Sequence, residues 1–102
     1  MATREPQRSA YARGYTKRWD RAAKAFRVRY PLCGMRPGHQ VPVMSRCYEL
    51  RLATNELEGV VPAQQTDHVI PHRGDRVLFW DWEFNWQSLC APCGSRKSQA
   101  GL

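Results

Sequence analysis

Four cysteines constrain this chain more than any other feature. Cys90 and Cys93 have two residues between them, whereas Cys33 and Cys47 have thirteen. A C-x-x-C turn aims two sulfurs at one tetrahedral ion, and the wider pair can complete such a site only if its loop doubles back. Two disulfides are the competing arrangement. The leading segment MATREPQRSAYARGYTKR is polar and basic, unlike a secretory leader. No run of residues is long enough to cross a bilayer, so no membrane partner is expected. A reducing cytoplasm is therefore expected, and with it zinc in preference to disulfides. The expected ligands are Cys33, Cys47, Cys90 and Cys93. His39, six residues after Cys33, is the rival to Cys47, because imidazole also suits zinc. Four protein ligands leave no open position, so this Zn2+ would be structural. A chain of 102 residues needs such a brace, because one core of that size buries too little surface for comfortable stability.

Charge is placed asymmetrically. Residues 1–30 carry nine basic side chains against Glu5 and Asp20, while the remainder balances seven basic residues with seven acidic ones. That pattern suits a polyanion, whose condensed counterions are released as each phosphate is neutralised. A solvated, solubilising surface is the plainer explanation of the same charges.

Residues 1–14, rich in Arg, Ser, Gln and Gly, read as a disordered basic arm, leaving 15–102 as one domain. From Thr16, a candidate N-cap, Trp19, Ala22, Ala23, Phe26 and Tyr30 recur at the spacing of an amphipathic helix that Pro31 stops. GMRPGHQVPVMSR reads as a loop. YELRLATNELEG fits a strand or a helix. Val60–Ala63 and Thr66–Pro71 are short β candidates, consistent with a hairpin between them. LFWDWEFNW gathers three of the four tryptophans, which are expected to pin a small core. A last helix is expected from Pro92 to before Gly101.

Two groups remain: the Asp67–His68 pair, and Asn85 just ahead of the C-x-x-C turn. Imidazole takes up a proton near neutral pH, and carboxylate is a hard oxygen ligand for a divalent ion. Together they suit phosphodiester cleavage, in which a base makes the nucleophile and an ion stabilises the leaving oxygen. A histidine on an apolar strand is, taken alone, more often a packed, hydrogen-bonded residue.

The order of motifs is more specific. TDHVIPHRGD, LFWD, NWQSLCAPC and the following Arg96–Lys97 resemble the HNH endonucleases, particularly the small zinc-containing ones of bacteriophages and prophages, over roughly residues 13–102. The resemblance implies an α+β chain with a ββα-metal (HNH) fold braced by a structural zinc knuckle, preceded here by the basic amphipathic helix. It implies a DNA endonuclease leaving 5′-phosphate and 3′-hydroxyl ends. His68 would be the general base, Asn85 would tie the hairpin loop in place, and Asp67 would hold a catalytic Mg2+, Mn2+ or other divalent ion. Lys97, Arg96, Arg73 and His72 are the candidate DNA-binding residues, with Arg76 beside them. His72 has three open roles: positioning the scissile phosphate, completing the metal shell, or hydrogen-bonding in its turn. Double-stranded DNA, the phage large terminase subunit and the portal are the implied partners, in the cytoplasm of a bacterial host cell. One departure stands out: the family's last histidine, a metal ligand, falls at Gly94. Water, Ser95 or His72 would have to fill that place. A zinc-ribbon DNA-binding or assembly module that has lost its chemistry is the second reading, and a restriction or colicin-type nuclease the third.

Overall fold

Lys17–Arg29 forms the first helix, α1, because Thr16 accepts a hydrogen bond from the Trp19 amide at its start and Pro31 follows its end. The computed structural model describes residues 13–54 and 58–102. A short 3-10 turn at Pro37–His39 leads to α2, Arg46–Thr54, which makes residues 48–54 of the ambiguous tract helical, while 55–57 lie outside the described residues and 58–59 form a turn. Strand β1, Gln65–His68, follows, then the short helices α3, Arg76–Trp80, and α4, Trp82–Asn85. Strand β2, Trp86–Leu89, and α5, Ala91–Gln99, complete the order. Asp75 and Asp81 cap α3 and α4 with their carboxylates, which is why a tryptophan-rich tract folds as two short helical turns rather than a strand.

The expected hairpin is corrected. Residues 60–63 contribute only one isolated bridge, Leu32 with Pro62, and β1 pairs instead with β2 in an antiparallel two-stranded sheet. The register sets Gln65 opposite Leu89, Thr66 opposite Ser88, Asp67 opposite Gln87 and His68 opposite Trp86. Strand alternation then divides the domain. Thr66 and His68 face α1, where Trp19, Ala23, Phe26, Phe79 and Trp86 form one core. Asp67 faces α5, and Leu89 joins Cys33, Cys47, Cys90 and Cys93 in a second core. Trp86 is buried and Trp80 packs against the first core, but Trp82 is 41% exposed. The expected disordered arm lies outside the described residues except for Arg13 and Gly14, a turn whose glycine abuts the Phe79 ring. Among the described residues, no helix is long and apolar enough to cross a membrane.

Gly59 shows how closely the second core is assembled. Its φ is +82°, and a Cβ there would overlap the Cys47 carbonyl. Gly59→Ala is expected to cost more than the roughly 1–2 kcal/mol of a left-handed L-residue, because the clash adds to it. Chemical denaturation with parallel zinc analysis measures this, and an unchanged midpoint counts against the packing described.

Candidate active site and metal centre

The sulfurs of Cys33, Cys47, Cys90 and Cys93 all lie within 4.8 Å of one another, and all four residues are buried free cysteines. Cys47 Sγ and Cys90 Sγ are 3.9 Å apart, too far for a disulfide and close to the edge of about 3.8 Å that a tetrahedron with 2.3 Å Zn–S bonds requires. This donor set fits a structural metal ion such as zinc. His39 is exposed in its loop and takes no part in the cluster. The loop doubles back because Gly34, at φ +90°, lets the backbone pass against Ser45 and Tyr48, and Arg51 donates to the Cys33 carbonyl at 2.8 Å.

The sulfurs also have outer partners. Ser45 Oγ lies 3.3 Å from Cys33 Sγ, and the Arg96 guanidinium donates to Cys93 Sγ at 3.0 Å. Arg96 thereby offsets part of the charge of a four-thiolate site. Burial pushes the Cys33 thiol up to about 12. Burial also raises Cys93, but hydrogen bonds from Cys90, the Arg46 backbone, Cys33 and the Cys47 backbone outweigh it and hold that thiol at about 7.

Beyond the sheet, His68 is 7% exposed and stacks on Trp19 with ring centroids 4.9 Å apart. Its Nε2 lies 2.9 Å from the Phe79 carbonyl, which can only accept, so Nε2 carries the proton and Nδ1 the lone pair. Trp86 Nε1 donates to the same carbonyl at 2.8 Å. No hydrogen bond to Nδ1 is found among the described residues. Burial lowers the His68 pKa, and the Phe79 carbonyl only partly opposes this. Burial therefore favours the neutral ring over the imidazolium.

Asn85 is buried and holds the segment between the strands from inside. Its Oδ1 accepts from the Ile70 amide at 2.7 Å, and its Nδ2 donates to the Ile70 and Leu78 carbonyls at 3.1 and 2.9 Å. His72 accepts the Gly74 amide at Nδ1 and donates from Nε2 to Tyr15 Oη at 3.1 Å. That geometry favours the turn-stabilising role among its three.

Asp67 does not meet His68 on one ion. The two side chains leave opposite faces of β1, as neighbours on a strand must. Asp67 Oδ2 pairs with Lys97 Nζ at 3.2 Å and accepts from Gln87 Nε2 at 2.9 Å. Lys97, expected on a phosphate-facing surface, is 3% exposed and also donates to the His68 carbonyl at 3.0 Å. Arg96, expected beside it on phosphate, is the sulfur partner described above; Arg73 and Arg76 are exposed. Beside Gly94, where the resemblance expects an imidazole, lies the Gln65 side-chain amide, and a Cβ at position 94 would overlap it. A single carboxylate already bearing an ammonium is no preformed cage for a divalent ion.

Tyr15, Gln65, Gln87 and the Phe79 carbonyl were not singled out in the sequence. Phe79 and Gln87 lie inside the quoted motifs, but only the folded chain shows what the Phe79 carbonyl and the Gln87 amide hold. Comparison of the chain with family models, curated proteins and solved structures returned no match.

Cys90→Ser is expected to lose zinc and unfold the domain, since structural zinc in small sites contributes about 10–16 kcal/mol of folding free energy. Circular dichroism with metal analysis checks this; a folded, zinc-free variant would contradict it. Burial also lowers the His72 pKa, with Arg13 adding to the effect. Below the ordinary imidazole value of 6.5, the unfolded chain takes up protons that the folded His68 and His72 resist. Stability is therefore complete above that pH and falls as pH drops through it. Urea midpoints on either side of that value should diverge less in His68→Gln than in the unsubstituted chain.

Proposed function

We propose that this chain is a zinc-braced DNA endonuclease of the HNH type, a phosphodiester hydrolase. The observation that carries the reading is the His68 ring, held through Nε2 by the Phe79 carbonyl, with no hydrogen bond to Nδ1 among the described residues. A fixed imidazole with one unpaired lone pair is suited to general-base chemistry. Its setting adds support: β1 and β2 pair across the intervening α3 and α4 and are followed by α5, an order compatible with a ββα unit, and Asn85 braces the segment between the strands. In the proposed reaction, His68 Nδ1 takes a proton from water as the water oxygen bonds to phosphorus. The bond from phosphorus to the 3′ oxygen breaks, leaving a 5′-phosphate, and the 3′ oxygen gains a proton from solvent. A divalent ion held by Asp67 and substrate phosphate would neutralise charge at the leaving oxygen. The phage-like motif order suggests work during genome packaging, beside the large terminase subunit and portal.

The Lys97–Asp67 pair favours a second reading. An ammonium where the ion would bind, with Gly94 supplying no ligand, suits a DNA-binding or assembly module without catalysis.

Supercoiled plasmid with added magnesium, manganese or nickel separates the two. On the nuclease reading, His68→Ala lowers nicking by about 10²- to 10⁴-fold, the usual span for a general base, while zinc content and fold persist. Retarded but uncut plasmid with every ion tried would select the binding module.

A further inference from the structure

We propose that the exposed cationic face of α1, rather than α5, is the surface on which duplex DNA lays its phosphates. This rests on the reading of the chain as one that acts on DNA. It assigns to α1 the contact that the family resemblance places on the last helix.

α5 has no free cation to offer. Lys97 is buried between Asp67 and the His68 carbonyl, and the Arg96 guanidinium is engaged by Cys93 Sγ. α1 is the reverse. It buries Trp19, Ala23 and Phe26 on one side and exposes Lys17, Arg18, Arg21, Lys24 and Arg29 elsewhere. Asp20 is the single acid among its thirteen residues. The only ion pair within 4.0 Å among the described residues is Lys97 with Asp67, so none of these five is held by a carboxylate at that distance, and Asp20 offsets one charge at most. Arg27 stands apart, because it donates to Thr66 Oγ1 and braces the helix on β1.

Lys17, Arg21 and Lys24 fall at i, i+4 and i+7, one stripe extending about 10 Å along the helix. The stripe belongs to the helix that carries Trp19, the residue stacked on His68. At the same end, Arg13 lies 5.6 Å over the Tyr15 ring, which packs edge-on to His68. Arg18 lies 4.3 Å over Trp80, so a stacked guanidinium joins the border of the face. His68 projects toward the buried face of α1, so the helix lies between the cationic stripe and the imidazole, and the stripe is assigned to binding alone.

The test measures binding of a fluorescently labelled DNA duplex by anisotropy across a potassium chloride series. The variants are a triple one, Lys17→Gln with Arg21→Gln and Lys24→Gln, a single Arg21→Gln, and Arg46→Gln as a control of exposed charge on α2. Glutamine keeps helix propensity, and the replaced side chains are exposed, so folding and zinc content should not change. Each lost phosphate contact reduces the steepness of log K against log salt by about 0.9, so the triple variant should flatten it by about 2–3 and Arg21→Gln by about 1. Arg46→Gln should leave the slope in place. Unchanged slopes in the α1 variants, or an equal fall per charge in the control, overturn the assignment while DNA binding stands. If the unsubstituted chain fails to bind the duplex, the DNA reading falls with it.

Discussion

The pairing of His68 with Trp86 and Asp67 with Gln87 decides what every neighbouring side chain can do. A two-stranded sheet has two faces, and a slip of one residue would exchange everything on them. With this register the imidazole enters the aromatic core beneath α1, while the carboxylate meets Gln87 and the α5 ammonium. The imidazole and the carboxylate are thus separated across the thickness of one strand pair.

The sulfur cluster and the histidine site are mechanically joined. Over one turn of α5, Cys93 enters the cluster, Arg96 turns back to its sulfur, and Lys97 reaches across to Asp67 and the His68 carbonyl. Metal at the cysteines therefore fixes the helix whose next turn orders the carboxylate. In so small a domain, this coupling substitutes for the rigidity that a larger apolar core would give.

Much of this was legible in the sequence, and the illegible part has physical causes. α1 was readable from its cap, its apolar spacing and Pro31; α5 from its early proline; and the cluster from its cysteines. Strand β2 was not, because WQSL shows neither alternation nor a β-branched run. Gln87 and Ser88 are nonetheless buried, their polar groups satisfied by Asp67, the Val43 backbone and the Tyr30 carbonyl. The buried state of Lys97 was equally hidden, since lysine is rarely enclosed without a partner and that partner lies on a distant strand. The tract 46–54 shows both periods weakly, and packing of Cys47 into the cluster settles it as helix.

Gly94 and Gln65 share one volume: the helix comes close to the strand because one residue has no side chain and the other lays its amide across the gap. A side chain at position 94 would have to displace the Gln65 amide, the flexible end of its side chain, so a change on the helix is answered first by a swing of the residue on the strand.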